Sequence, residues 1–168
     1  MSKERNIFEK REVFKPFEYP EVEPFIKAIQ STYWIHDEVE AELAEDVQDY
    51  HNNLTDVDRH IISTILRTFA DTETKVLDDC WSIIGKYFPK PEFQGLAMTF
   101  AENEFRHANG YFRINELLDL TDFEPYTEDP ILSKKFNNLI DNSLNVPNFN
   151  PKNIADIKSL AKGLAIFS

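Results

Sequence analysis

The chain has 168 residues, 42% of them hydrophobic and 13% aromatic, with a formal net charge of −12 at pH 7. This length is typical of one domain with its own core. The excess of acidic residues argues against a nucleic acid or an anionic membrane as a partner, because both carry negative charge. Cys80 is the single cysteine, so no disulfide can form within the chain. The N-terminus lacks an apolar signal core and no run reaches the length of a membrane span, which together predict a cytoplasmic protein.

The N-terminal part is predicted to be an extended arm followed by short helices. Residues 1–24 carry prolines at positions 16, 20 and 24 between aromatic residues, a pattern that suits an extended arm lying on the body of a domain. Residues 25–36 are expected to form a short helix. The acidic stretch 37–50 has apolar residues at steps of four and predicts another helix with a thin apolar edge, which Asn52 and Asn53 end.

Two long helices are predicted next. Thr55 is suited to cap the first, with Asp58 at the capping-box position. This helix is expected to run to about Tyr87 and to stop before the prolines that follow. The second is expected to run from near Glu92 to around Leu120.

The C-terminal part is predicted to contain a loop over 121–131, a helix over 131–145 and a last helix over 153–168. An apolar stripe is still running at the final residue, so we expect this to be the start of a truncated helix. Strand patterns do not occur anywhere in the sequence. The sequence therefore predicts a single all-α domain, itself partial, over residues 1–168.

Polar side chains replace apolar ones on one face of each long helix. On the second helix the apolar stripe steps by three and four residues and passes through Glu104, His107 and Tyr111. On the first helix Glu73 interrupts a stripe of the same kind. Carboxylates are therefore predicted to face the interior from both helices. The apolar members of the stripes are Leu66, Phe69, Val76, Cys80 and Ile84 on the first helix, and Phe93, Leu96, Phe100, Ile114 and Leu118 on the second.

This pattern is typical of a metal site. Burying an unpaired carboxylate is costly, so such a group raises its pKa, finds a charged partner or binds a metal. Glu104 and His107 are three residues apart, which points both side chains the same way from one helical turn. Four-helix dimetal sites use one carboxylate from each of two helices and a Glu-x-x-His pair from each of the other two. With Glu73 as the single carboxylate, this chain has one of each, which predicts half of a dimetal site.

Each candidate also has an ordinary structural interpretation. Glu73 alone could be a surface or ion-paired glutamate, and His107 alone could be a hydrogen-bonded core histidine. Tyr111 could be a buried tyrosine bonded to a carboxylate, and Trp34 could simply belong to the core. The common spacing on two apolar stripes favours the metal site over these alternatives. The histidines expected at the surface, without a role, are His36, His51 and His60.

Four segments of the chain carry a family resemblance. Lys10-Arg-Glu-Val-Phe-Lys-Pro-Phe-Glu-Tyr-Pro20 resembles an N-terminal arm, and Trp34-Ile-His-Asp-Glu-Val39 resembles a W-x-x-x-E-V element. Ile65-Leu-Arg-Thr-Phe-Ala-Asp-Thr-Glu73 falls where a first metal carboxylate lies, and Glu104-x-x-His107-x-x-x-Tyr111 matches an E-x-x-H-x-x-x-Y signature. Together these segments resemble the N-terminal half of the small (β) subunit of class I ribonucleotide reductases.

The resemblance implies an incomplete, ferritin-like helical bundle and a role for each site residue. Glu73, Glu104 and His107 would ligate one iron and help to bridge to a second, with manganese as an alternative metal. Tyr111 would be oxidised to a stable radical. Trp34 would lie on the electron path to the large (α) subunit, where ribonucleoside diphosphates are reduced. The apolar walls expected to shelter the radical are Phe69 and Phe100.

The chain departs from the family pattern in two ways. Many members have Asp at the position of Glu73, which leaves the metal pair open. The second carboxylate helix, the second Glu-x-x-His helix and the C-terminal tail that docks on the large subunit are absent from the sequence. Leu164-Ala-Ile-Phe-Ser168 resembles the segment just ahead of the third ligand helix's glutamate. We therefore expect either a split subunit completed by its C-terminal half on a separate chain, or an exon or extein-like fragment of an interrupted gene. The completed subunit is expected to be a homodimer.

Two other functions stay open. A non-enzymatic ferritin-like bundle could form from two copies of the chain, since two copies provide two Glu73 carboxylates and two Glu-x-x-His pairs. A fragment without metal could act only as a folding partner. The tryptophan element and the proline-rich arm favour the reductase, because an iron-storage bundle has no need of them.

Overall fold

A computed structural model describes residues 5–120, 130–141 and 146–167, and the fold is given for these residues. The all-α prediction is confirmed over the described part of the chain, which contains eight α-helices and no strand. None of the described helices combines the length and the apolar composition that crossing a membrane requires. Most of the predicted 121–131 loop, the end of the predicted 131–145 helix and Ser168 lie outside the described residues.

Three short helices occupy the region before the first long helix. A 3-10 turn at Pro20–Val22 leads into α1, Glu23–Ser31, and α2 spans His36–Glu40. A second 3-10 turn joins α2 to α3, Ala44–Asn52. The helix that we expected over 25–36 therefore ends at Ser31. Its last carbonyls accept side-chain hydrogen bonds instead, because the Ser31 and Thr32 hydroxyls both donate to the Ala28 oxygen.

The first long helix begins at the predicted cap. α4 spans Asp56–Val76, and the capping box is reciprocal. The Thr55 hydroxyl accepts from the Asp58 amide at 3.2 Å, while the Asp58 carboxylate accepts from the Thr55 amide at 3.1 Å. A π-helical turn at Leu77–Trp81 then separates α4 from α5, Ser82–Tyr87. The predicted continuous helix is thus interrupted by one wider turn.

The remaining helices follow the predicted order. α6 spans Pro91–Leu117, α7 spans Pro130–Asp141 and α8 spans Ile154–Phe167. Proline suits the first position of α6, where its missing N–H has no helical partner to lose.

The described residues divide into two compact units, each considered by itself. One unit contains the described residues of 34–74 and 104–138 and holds all five predicted site residues. Its buried side chains are Tyr50, Arg106, Asn115 and Leu118.

The other unit contains the described residues of 1–33, 75–103 and 139–168. Aromatic rings pack around its core, and the Tyr87 hydroxyl accepts from the Val146 amide at 2.6 Å. Cys80 is buried in this core, as the sequence predicted. The buried core residues are Cys80, Ile84, Tyr87, Ala97 and Leu160.

The segment before α1 is anchored to the start of α6 by a buried carboxylate. The Glu92 side chain is 0% exposed, and its Oε1 accepts from the amides of Glu18 and Tyr19 at 2.9 and 3.0 Å. The Arg11 guanidinium lies 3.9 Å from its Oε2. Beside it, the ammonium of Lys90, itself 1% exposed, lies 2.9 Å from the Glu18 carboxylate. A carboxylate in the first helical turn is also stabilised by the helix dipole.

We expect Glu92→Ala to lower the free energy of unfolding by about 2–4 kcal/mol, because it leaves two partly buried amides without an acceptor. Glu92→Gln keeps an oxygen for both amides and removes only the charge opposite Arg11, so its loss should be about half as large or smaller. Urea unfolding of the two variants measures both values. Equal losses would show that the charge, and not the two hydrogen bonds, fixes the segment.

Candidate metal centre

α4 and α6 bring the three predicted metal ligands together. Near its end α4 carries Glu73, and one turn of α6 carries Glu104 and His107. One oxygen from each carboxylate and one imidazole nitrogen all lie within 4.8 Å of one another. His107 Nδ1 is 3.1 Å from Glu104 Oε2 and 3.7 Å from Glu73 Oε1. All three side chains are half-buried.

The two carboxylates repel each other in this position. Burial, together with the hydrogen bond and negative charge of Glu104, raises the pKa of Glu73 to about 8. The metal-free pair therefore holds a shared proton at neutral pH, since two close carboxylates ionise together only at a cost. Burial and the charge of Glu73 also raise the pKa of the Tyr111 phenol.

The donor set fits a divalent transition metal. Two carboxylate oxygens and an imidazole nitrogen suit iron or manganese, and a cation between the carboxylates would replace the shared proton. In the described residues this is the one group of three acidic, histidine or cysteine side chains with donor atoms this close. It supplies fewer ligands than a metal pair uses in a four-helix carboxylate site.

Tyr111 and Trp34 flank the three ligands. Tyr111 follows His107 by one turn of α6, and its ring centroid is 5.3 Å from that of Phe69. Phe69 is itself 45% exposed, so it covers one side of the tyrosine without being a buried wall. The Trp34 indole is stacked on the His107 imidazole, with centroids 6.0 Å apart and planes inclined by 20°. Phe100, the other predicted wall, packs on Trp81 in the other unit.

Polar contacts tie the segment around Trp34 to α6. Arg106 donates to the Trp34 carbonyl at 3.1 Å, and Asn109 contacts His36 Nδ1 at 3.1 Å. Arg113 donates two hydrogen bonds to the Glu40 carboxylate, at 3.0 and 2.6 Å, and holds the pKa of that carboxyl below its usual value. A cavity of about 190 Å³ lies here, lined by Trp34, His36, Glu40, Leu43, His107, Gly110, Tyr111, Arg113 and Ile114.

Sequence patterns missed this set of contacts. His36, which we expected at the surface without a role, is half-buried and contacts Asn109, because the segment folds back onto α6. His51 and His60 are exposed, as expected. One signal was available: Gly110 lies inside a 27-residue helix. A glycine there is about 1 kcal/mol less stable than alanine and usually has a packing reason.

Comparisons with known proteins identify the family of the chain. A family model described as "Ribonucleotide reductase, small chain" matches residues 11–166. A probable ribonucleoside-diphosphate reductase small subunit of Invertebrate iridescent virus 6 is 25% identical over 173 aligned residues, covering 97% of this chain and 46% of the relative. Another, of Invertebrate iridescent virus 3, is 28% identical over 112 residues, or 67% of this chain and 29% of the relative. A small chain of ribonucleoside-diphosphate reductase from Arabidopsis thaliana is 33% identical over 64 residues, or 38% of this chain and 19% of the relative.

Helical proteins in which carboxylates and a Glu-x-x-His pair converge between helices form the ferritin-like carboxylate class. Within that class, the chain belongs to the ribonucleotide reductase small chain family. The family resemblance and the all-α, ferritin-like fold class are thereby confirmed. The chain spans 46% and 29% of the lengths of the two viral relatives, so it corresponds to about half of such a protein or less.

The raised pKa of Glu73 predicts how the stability of the metal-free chain depends on pH. At pH values between 4.5, the usual pKa of a glutamate, and about 8, the raised pKa of Glu73, the folded chain binds more protons than the unfolded chain. The free energy of unfolding should therefore fall as pH rises through this window, by less than the roughly 1.4 kcal/mol per pH unit that one full proton gives. Glu73→Gln should remove most of this slope, measured by urea unfolding in a chelator at several pH values.

The matched control is Glu45→Gln, which makes the same charge change at an exposed position on α3. It should leave the slope unchanged. If Glu45→Gln flattens the profile as much as Glu73→Gln does, general charge repulsion, and not the paired carboxylates, sets the pH dependence.

Proposed function

We propose that the chain supplies half of the metal-binding part of a ribonucleoside-diphosphate reductase small subunit. The observation that carries this proposal is the convergence of the Glu73, Glu104 and His107 donor atoms within 4.8 Å, in a chain of this family. The aligned relatives are named as small subunits or small chains of that reductase.

Each residue has a chemical task in this proposal. Glu73, Glu104 and His107 would hold an iron or manganese ion and would help to bind a second. A metal pair held there would supply the oxidising chemistry, and Tyr111 is the side chain that would give up one electron. The Tyr111 phenol is protonated at neutral pH, as any tyrosine is, and burial and the charge of Glu73 raise its pKa further. It must therefore release a proton when the radical forms. Phe69 covers one face of that ring and limits access to it.

Trp34 is the proposed electron relay between the metal centre and the large subunit. Its indole lies nearly parallel to the imidazole of a metal ligand, His107, and is half-buried. A stacked aromatic pair would give a short path between His107 and Trp34. In this proposal the large subunit receives the oxidising equivalent and reduces the ribonucleoside diphosphate.

The missing ligands come from a polypeptide outside this sequence, which we propose to be the C-terminal half of the subunit on a separate chain. An apolar stripe on α4 supports this proposal. Its four side chains are 67% to 45% exposed and step by four residues toward Glu73. Helices that brought further carboxylates to the centre would bury such a stripe. The stripe consists of Val57, Ile61, Ile65 and Phe69.

We also propose that the completed subunit is a homodimer in the cytoplasm.

A second candidate is a metal-binding bundle made of two copies of the chain. Its support is the donor count, because two copies would supply two single carboxylates and two Glu-x-x-His pairs, the full set of a dimetal site. The exposed α4 stripe would serve this pairing as well. The stacking of Trp34 on His107 favours the reductase, since a storage bundle needs no electron relay.

Iron loading and electron paramagnetic resonance test the proposal. We expect the chain, mixed with a polypeptide carrying the second half of a small subunit of this family and given ferrous iron in air, to show a tyrosyl radical signal. Tyr111→Phe should abolish this signal and retain bound iron, whereas Glu104→Ala should lose both. Tyr50→Phe, at a buried tyrosine of the same unit, is the matched control and should retain both.

Two outcomes would contradict the proposal. The chain alone and the chain mixed with the second-half polypeptide are compared. Stoichiometric iron in a dimer of the chain alone, with no radical in either of these two samples, would favour the two-copy bundle. Failure of both samples to bind iron would show that the three side chains do not form a metal centre.

A further inference from the structure

We infer that Gly110 and Arg106 are positioning residues that hold the Trp34 indole against the His107 imidazole. Their contribution to radical transfer rests on the proposed function. The contacts themselves are features of the described chain and do not depend on that proposal.

Gly110 provides the space in which the indole lies. A Cβ atom added at this position would lie 3.0 Å from Cη2 and 3.4 Å from Cζ3 of Trp34. The φ angle of Gly110 is not positive, so the backbone conformation does not require glycine. Alanine would be the more stable residue inside a helix. Close approach of the tryptophan to the α6 backbone is therefore what this glycine permits.

Arg106 holds the same tryptophan at two points. It lies one turn before Gly110 and is 6% exposed. Its Nη1 donates to the Trp34 carbonyl at 3.1 Å, and its guanidinium carbon lies 5.8 Å from the indole centroid, within reach of a cation–π interaction. The backbone and the ring of Trp34 are thus fixed by one side chain.

Two further contacts hold the segment that follows Trp34 against α6. Asn109 contacts His36, and Arg113 forms a double hydrogen bond with Glu40. The α6 residues 106, 109 and 113 follow one another at steps of three and four, so they lie along one ridge of the helix. The backbone that carries the indole therefore cannot move away from α6 without breaking contacts along this ridge.

The consequence is that Trp34 placement responds to substitutions that leave the metal ligands intact. Gly110→Ala stabilises the helix backbone but forces the indole to move by a few tenths of an ångström or to rotate out of the stack. Gly95→Ala is a matched control on the same helix, because its Cβ would meet only Ile26 Cδ1, at an ordinary 3.6 Å.

Tryptophan spectroscopy on the full chain tests the inference. In a Trp81→Phe background, Trp34 is the remaining tryptophan. We expect Gly110→Ala and Arg106→Leu to shift its fluorescence to longer wavelength and to remove most of its near-ultraviolet circular dichroism. Arg106→Lys, which keeps the charge and one donor, should recover part of the signal, and Gly95→Ala should change neither. If Trp81→Phe does not fold, the Trp34 signal is obtained by subtracting the spectrum of Trp34→Phe from that of the protein with both tryptophans.

A second readout separates positioning from general stability. Co²⁺ alone, bound at the three ligands, should quench Trp34 strongly in the parent and less in Gly110→Ala, although the variant's helix is no less stable. In the completed subunit, Gly110→Ala should retain the Tyr111 radical and lower turnover.

Unchanged Trp34 spectra in Gly110→Ala, or equal changes in Gly95→Ala, would overturn the inference. Failure of the proposed function would look different. The completed subunit would then show no radical, while the metal-free spectra of Trp34 would still respond to Gly110→Ala.

Discussion

The repulsion between the Glu73 and Glu104 carboxylates is the constraint on which the rest of the centre depends. The two groups come from different helices, are half-buried and face the same imidazole. A folded chain tolerates such a pair by sharing a proton, and a divalent cation relieves the repulsion more completely. Aliphatic side chains at these two positions would avoid the repulsion, so the carboxylates lower the stability of the metal-free fold.

α6 connects this centre to its surroundings, because different faces of one helix perform different tasks. One turn provides Glu104 and His107, and the next provides Tyr111. A neighbouring ridge holds the segment that carries Trp34. A helix fixes the spacing of all these groups through its backbone hydrogen bonds, which loops do not do.

Periodicity predicted what depends on local spacing and on burial. It gave the helices, the capping box at Thr55 and the convergence of the two stripes that carry Glu73 and Glu104. The early end of α1 was not predicted, because side-chain hydrogen bonds to the last carbonyls leave the apolar pattern nearly unchanged. The π-helical turn after Val76 was not predicted either, since widening one helical turn by one residue changes that pattern little.

Long-range polar partners were also beyond the reach of sequence patterns. Glu92 was expected only to mark the start of a helix, yet it is fully buried and binds amides more than seventy residues away. No prediction from the sequence concerned Arg106, Asn109 or Arg113. Nothing in their spacing names a partner, since a hydrogen bond between distant segments depends on tertiary structure. Sequence patterns also do not distinguish iron from manganese, because both metals accept carboxylate oxygens and imidazole nitrogens.

The apolar stripe on α4 also affects how the isolated protein behaves in solution. Four large apolar side chains on one helical face favour association of the protein with itself. The net charge of −12 opposes that association through mutual repulsion of the molecules. Dissolved salt screens the repulsion and leaves the apolar attraction in place. Raising the ionic strength should therefore favour self-association of the purified protein.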